Sequence, residues 1–334
     1  ITNKPKIGEF EAGYDVGATQ IDSGGFGGSV EGFVNIPLTD RAAIRLVGYT
    51  VSDPGYIDNV THDPPLVYPT SGAVLDNTGK REKNFNDVQT TGARAAATLE
   101  INDDWTVTPA VTWQTQDANG FFAQDEAFSE RKIARYKPDY NEDTWYQASL
   151  TIQGRIGNLD VIYSGGYLER DIDNGYDYSD YSYGYDSYYE YTPDYFGNFF
   201  VDNDGNVIDP SQYTVNRYDY TKQTHELRVS SPQDAKLRWV AGVFLQRQEN
   251  DTYSSYRVAG LADDRSVTGQ PGVNYMDGNT RDDLDRAIFA EVAFDVGDAW
   301  TFTLGGRAFD YDSDVVGFFG YGPFYSDRVG EGVD

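Results

Sequence analysis

The chain has 334 residues, a formal net charge of -28, no cysteine and only 39% hydrophobic residues, with 27 tyrosines and 35 glycines. So acidic a balance argues against nucleic acid, whose phosphates call for a basic surface, and the missing thiols remove disulfides, iron–sulfur clusters and thiol-rich zinc sites. The high aromatic content speaks against disorder, and no run approaches the roughly 18 apolar residues of a membrane helix, so a membrane could be crossed only by strands.

The chain opens at Ile1 with neither an initiator methionine nor a basic-then-apolar leader, which places any export signal upstream. From Phe10, the residues Phe10, Ala12, Tyr14, Val16 and Ala18 alternate with Glu11, Gly13, Asp15, Gly17 and Thr19. A period of two is the mark of a half-buried strand. A glycine-rich link, 23–28, leads to a second strand with Val30, Val34 and Ile36 on one face and Glu31 on the other. Pro37-Leu38-Thr39-Asp40 reverses the chain into a third strand over about 41–52, with Arg45 opposite Ile44 and Leu46.

A long loop over about 53–87 holds no sustained alternation and is rich in Pro, Gly, Asp and Asn. The fourth strand sets Ala93, Ala95, Ala97 and Leu99 against Arg94, Thr98 and Glu100, and Asn102-Asp103-Asp104 turns it into a fifth with Trp105, Val107, Val111 and Trp113 on one face. A second long loop spans about 117–143. Strands six and seven meet at Ile156-Gly157-Asn158, and the third and longest loop follows over about 171–222. Strand eight ends at Pro232-Gln233-Asp234. Strand nine sets Leu237, Trp239, Ala241, Val243 and Leu245 against Lys236, Arg238, Gln246 and Gln248.

After the fourth loop, about 249–283, strand ten has Ile288, Ala290, Val292 and Phe294 opposite Asp285, Glu291 and Asp295. Val296-Gly297-Asp298 turns into the eleventh strand, where Trp300, Phe302 and Leu304 oppose Thr301, Thr303 and Arg307. The links alternate between very short and very long, and each strand has about the ten residues that cross a bilayer when tilted. Short periplasmic turns, long extracellular loops and strands apolar outside but polar inside define a transmembrane antiparallel up-and-down β-barrel. A soluble β-sandwich or propeller shares the alternation, but does not account for Arg, Glu, Lys and Asp on the second face of so many strands. By parity, Glu31, Arg45, Arg94, Glu100, Arg238, Glu291 and Arg307 face the lumen. Trp105, Trp300, Tyr163, Tyr167 and Tyr49 are candidates for interfacial girdles, although aromatics pack well in any strand.

The chemistry-bearing residues point to binding rather than catalysis. Tyr176, Tyr181, Tyr183, Tyr185, Tyr188 and Tyr189, in the third loop, offer flat apolar faces and rim hydroxyls for a sugar ring or a catecholate; the alternative is that they pack on one another to stiffen the loop. Asp202-Asn203-Asp204-Gly205-Asn206 resembles half a calcium loop but lacks the spacing of a full one, so 199–208 reads as a small hairpin with Asp-Gly in its turn. His62 and His225 are far apart in sequence, and no nucleophile signature accompanies them. No catalytic residue, resident metal or cofactor is expected, and the chain is not read as an enzyme.

In these residues the chain resembles the TonB-dependent outer-membrane receptors. Ile1-Thr2-Asn3-Lys4-Pro5 is similar to the family's junction between plug and first barrel strand, and the stretch from Gly25 to Asp40 is similar to its first hairpin and periplasmic turn. His225 to Pro232, Leu237 to Phe244 and Ala287 to Val292 resemble internal hairpins of the siderophore-receptor-like branch. The resemblance covers essentially the whole of 1–334. It implies a bacterial outer-membrane barrel of twenty-two strands that imports scarce nutrients, with about eleven of those strands here and the plug and TonB box absent. It also implies partners: outer-membrane lipid and lipopolysaccharide, the protein's own plug and the TonB system, and a small ligand. Ferric siderophore is the first expectation, with saccharide or cobalamin as alternatives; a secreted acidic β-protein that adheres to a surface or polymer is the rival from another class.

Overall fold

The computed structural model describes residues 3–188, 199–297 and 299–321. Eleven long strands lie side by side in chain order in one sheet. They are β1 (Glu11–Gln20), β2 (Phe26–Thr39), β3 (Ala42–Asp53), β4 (Val88–Glu100), β5 (Trp105–Asn119), β6 (Tyr140–Ile156), β7 (Leu159–Asp177), β8 (Gln212–Ser230), β9 (Leu237–Val258), β10 (Val273–Val296) and β11 (Trp300–Tyr321). Every neighbouring pair is antiparallel. Among the described residues the fold is all-β apart from one helix, α1 (Ser179–Tyr188), and short 3-10 turns.

Register turns the alternation within each strand into two faces of the sheet. Val107, Ile152, Tyr163, Leu227, Val243 and Ile288 are direct partners across six successive strands, β5 to β10. Direct cross-strand partners share a face, so these rows build one continuous apolar surface. Nearer the short turns it adds Trp239, Val292 and Leu304, then Leu237, Phe294 and Phe302. On β9 this surface runs from Leu237 to Leu245 and on β11 from Trp300 to Ala308, the roughly nine to eleven residues that a tilted strand needs to cross hydrocarbon. It is bare: Leu304 is 80% exposed, Trp300 69% and Phe302 62%.

A soluble protein rarely leaves so large an apolar face uncovered. The buried clusters lie instead among the long links, where Ile57, Phe85 and Ile133 form one and Tyr68, Leu75 and Tyr136 another. The sandwich reading therefore fails, since no second layer covers the apolar face among the described residues. At the edge of the band towards the long links, Tyr146 and Tyr167 both donate to Glu169, the latter at 2.8 Å, as amphipathic rings do at an interface. Tyr49 does not join them. It lies on the other face, donating to Gln114 at 2.7 Å across Gly92, where an added Cβ would meet the ring at 2.4 Å. Tyr163 sits within the band and pairs with His225 Nδ1 at 2.8 Å.

The second face carries the charges. The row from Asn35 through Arg45, Ala96, Ala110, Ser149, Gly166, Thr224, Gln246 and Asp285 to Tyr311 fixes its parity. Counting by twos from that row puts Glu31, Arg45, Arg94, Glu100, Arg238, Glu291 and Arg307 all on it. Arg45 is buried between Glu11, at 3.2 Å, and the ring of Phe33, 3.9 Å from its centroid. Arg238 holds Asp295 with both of its terminal nitrogens. The segment 3–9 crosses this face: Asn35 exchanges hydrogen bonds of 2.9 Å with the Lys6 backbone, and Arg94 donates to the Asn3 carbonyl at 3.2 Å. Ile1 and Thr2 lie outside the described residues.

All four long links leave the same end of the sheet, with short turns at the other; the short first link, 21–25, joins the long ones. Their lengths differ from the expectation. The first spans 54–87, but the second is 120–139 rather than 117–143, the third 178–211 rather than 171–222, and the fourth 259–272 rather than 249–283. The cause is that strands β6 to β10 continue beyond the apolar band. There the formerly apolar face presents Glu169, Asp171, Asp219, Asp251 and Asp282, so hydrophobic alternation stops while the backbone ladder does not. Asp298, in the last short turn, is outside the described residues.

Placing a cation in the bare face tests the division. Val243→Arg in the protein assembled into lipid bilayers is expected to cost roughly 2–4 kcal/mol in unfolding titrations, whereas Gln246→Arg, on the other face of the same strand, is expected to cost well under half of that.

Candidate functional site

The charged face has its concave features where the strands outrun the band. A cavity of about 400 Å³ is lined there by Phe121, Arg135, Tyr176, Asp177, Tyr178, Asp180, Tyr181, Thr214, Asn216, Tyr218, Ser254 and Tyr256. A smaller one, about 290 Å³, adjoins it and shares Phe121 and Tyr176. Parity puts Tyr176, Asn216, Tyr218 and Tyr256 on the same face as the seven charged residues, because Asn174 pairs Asn216 and Asn216 pairs Ser254. The cavity therefore opens over the charged face, beneath the long links.

Its floor is fixed by a buried ionic knot. The Arg135 guanidinium donates through Nε and Nη2 to the two oxygens of Asp139, at 2.7 Å each, and Nη2 also reaches the Asp177 carbonyl at 2.6 Å. Nη1 donates to Asp180 at 3.3 Å, and Phe121 stacks its ring 4.6 Å from the guanidinium. Asp177 in turn receives the Tyr136 amide at 2.6 Å and the Ser179 hydroxyl at 2.6 Å, so one carboxylate ties the link 120–139 to the start of α1. Burial pushes Asp180 up to about 6 against the pull of Arg135, although half its side chain still meets solvent. Burial likewise draws the Lys137 ammonium below its usual range, and its donors go to Ser211.

The rim is aromatic. Ring centroids follow one another from Tyr185 to Tyr181 at 5.0 Å, to Tyr178 at 4.7 Å, to Tyr256 at 5.2 Å, to Tyr275 at 5.3 Å and to Tyr321 at 4.9 Å. Tyr181 is pushed up to about 12 by burial and by its hydrogen bond with Tyr185, so the ring presents a neutral hydroxyl at any physiological pH. Such a row offers apolar faces and hydroxyls with few rotors to freeze.

The sequence-expected tyrosines divide. Tyr176 and Tyr181 line the cavity, and Tyr185 extends its rim. Tyr183 turns away to pack on Tyr68, at 5.8 Å, in a buried cluster. Tyr188 ends the helix, 78% exposed, and Tyr189 lies outside the described residues. Sequence reasoning missed Tyr218 and Tyr256, both in stretches taken as loop, and Arg135, which bonds Asp139 four residues on as well as Asp177 and Asp180 at the end of β7 and in α1. The 199–208 hairpin forms as expected: Val201 bridges Val207, and Gly205, at φ +80°, donates to the Asp202 carbonyl at 3.0 Å. His62 and His225 engage separate partners, Pro64 and Tyr163.

No family model matches the sequence, and no curated protein does. Solved structures do. The ferric yersiniabactin uptake receptor of Yersinia pestis superposes with a TM-score of 0.62 at 11% identity, over 95% of this chain and 45% of that one. The fold is that of a TonB-dependent siderophore-receptor barrel. The outer-membrane ferripyoverdine receptor of Pseudomonas aeruginosa, bound to ferripyoverdine, matches with a TM-score of 0.55 at 12% identity, over 96% of this chain and 40% of that one. The siderophore receptor of Acinetobacter baumannii gives 0.50 at 10% identity, over 95% and 48%. The chain spans less than half the length of each of these receptors.

Two outcomes follow from the knot. Arg135→Ala leaves the buried Asp139 uncompensated and is expected to lower stability by about 3–5 kcal/mol, read as a lower melting temperature and early proteolysis of the links. Because the Asp180 carboxyl binds its proton more tightly folded than unfolded, stability is expected to rise as pH falls through about 6. Asp180→Asn should flatten that response in hydrogen exchange of the 178–188 amides followed from pH 7 to pH 5.

Proposed function

We propose that the chain forms part of the wall of an outer-membrane, TonB-dependent receptor for energy-coupled uptake, with the tyrosine-lined cavity as its ligand-capture site and a ferric siderophore as its ligand. The observation that carries the reading is the division of one sheet into a bare apolar band and a charged face that holds the cavity. In this reading the apolar band meets outer-membrane lipid. The acidic rows above it meet lipopolysaccharide, and Glu31, Arg45, Arg94, Glu100, Arg238, Glu291 and Arg307 line the lumen against a plug coupled to the TonB system. Because open strand edges are untenable in hydrocarbon, the free edges of β1 and β11 require further strands to close the barrel. The row of rings from Tyr185 to Tyr321 supports a saccharide as the second reading, since hydroxylated rings seat well on tyrosine faces.

Fractionation and titration test this together. The intact protein is expected in the detergent-extracted outer-membrane fraction, and Tyr176→Ala or Tyr256→Ala is expected to weaken binding of its ferric siderophore by roughly tenfold, about what a lost aromatic contact is worth. Tyr183→Ala should lower stability more than affinity. Recovery in the soluble fraction without detergent, or unchanged affinity in both cavity variants, would contradict the proposal.

A further inference from the structure

We infer that the cavity selects its ligand by charge, admitting an uncharged complex and rejecting a polyanionic one; this rests on the cavity being the capture site of the receptor proposed above. Among ferric siderophores the distinction is chemical. Three singly charged hydroxamates balance Fe³⁺ and give a neutral complex, whereas three doubly charged catecholates leave a net charge of 3−.

An anionic ligand needs a cation with donors to spare, usually an Arg fork or a Lys. Among the described residues, Arg135 is the one basic residue lining the cavity. It is 5% exposed, and its Nε, Nη1 and Nη2 are committed to Asp139, Asp180 and the Asp177 carbonyl. Its charge is answered by Asp139 before either carboxylate of the lining, Asp177 or Asp180, is counted. The chemistry left for a ligand is phenol, amide and hydroxyl: Tyr178, Tyr181, Tyr218, Tyr256, Asn216 and Thr214. These donate and accept without carrying charge at neutral pH.

The surroundings point the same way. From Asp171 to Asn216 the sequence contains no Lys, Arg or His, and every charged residue is Asp or Glu. This stretch supplies the end of β7, α1 and the start of β8, which wall much of the cavity. A net charge of -28 on the chain adds a long-range field that raises the local concentration of neutral and cationic solutes over anionic ones.

The test is a binding titration of the intact protein in detergent against three probes: a neutral ferric tris-hydroxamate, a ferric tris-catecholate of charge 3−, and a neutral oligosaccharide. The tris-hydroxamate is expected to bind at least about tenfold tighter than the tris-catecholate, a difference of about 1.4 kcal/mol. Raising salt should shrink the gap, and Asp180→Asn should improve tris-catecholate affinity more than tris-hydroxamate affinity. Equal or tighter binding of the tris-catecholate overturns charge selection while leaving the siderophore reading in place. Binding of the oligosaccharide with neither iron complex overturns the siderophore reading and, with it, charge selection between iron complexes. Binding of none of the three overturns both.

Discussion

Inside hydrocarbon a peptide group finds no water, so each N–H and C=O within the band has to be satisfied by another part of the backbone. Between neighbours the eleven strands meet that demand with antiparallel ladders, leaving only the outer edges of β1 and β11 without a partner strand among the described residues. Once the backbone is committed to the ladder, side chains alternate strictly, and the sheet must have two faces. One carries Leu237, Val243 and Leu304 with nothing over them; the other carries Arg45, Arg238 and Arg307, each engaged by a carboxylate or a ring. A core of the ordinary kind would reverse the energetics of both.

The same ladder explains where the tyrosine-lined cavity lies. Strands β7 to β10 run beyond the band into water, so both faces there are free to be polar. The extra turns of strand lift Tyr176, Tyr218 and Tyr256 to a common level on the charged face, while the links above fold onto small buried clusters of their own. Arg135 joins these layers, since its partners Asp139, Asp177 and Asp180 lie just before β6, at the end of β7 and in the first turn of α1. A tyrosine rim over the charged face is what that arrangement produces.

Much of this was legible in the amino-acid sequence, and the reason is physical. Where one face meets oil, a strand has to announce itself by alternation, and all eleven long strands do so, with the short turns at 40–41 and 157–158 marked by Asp or Gly. Beyond the band that pressure is gone: Asp219, Asp251 and Asp282 look like loop residues although they sit in regular ladder. Tyr218 and Tyr256 were hidden for the same reason. Tyr183 was read as a ligand contact because composition does not reveal which way a helical ring points, and it packs on Tyr68 instead. Arg135 gave no signal, because an Arg and an Asp four residues apart in a stretch taken as loop look like solvated surface, and the partners that bury the pair, Asp177 and Asp180, arrive from 42 and 45 residues away.

The central claim is that successive residues of a strand meet different media. The absence of native cysteine makes single-cysteine labelling along β9 the most direct measurement, with a nitroxide at each position from 238 to 246 in the intact protein in lipid bilayers. The account requires labels at 239, 241, 243 and 245 to relax with lipid-soluble oxygen and those at 238, 240, 242, 244 and 246 with a water-soluble nickel chelate or with neither. Uniform water accessibility along the strand, or the opposite alternation, would contradict it.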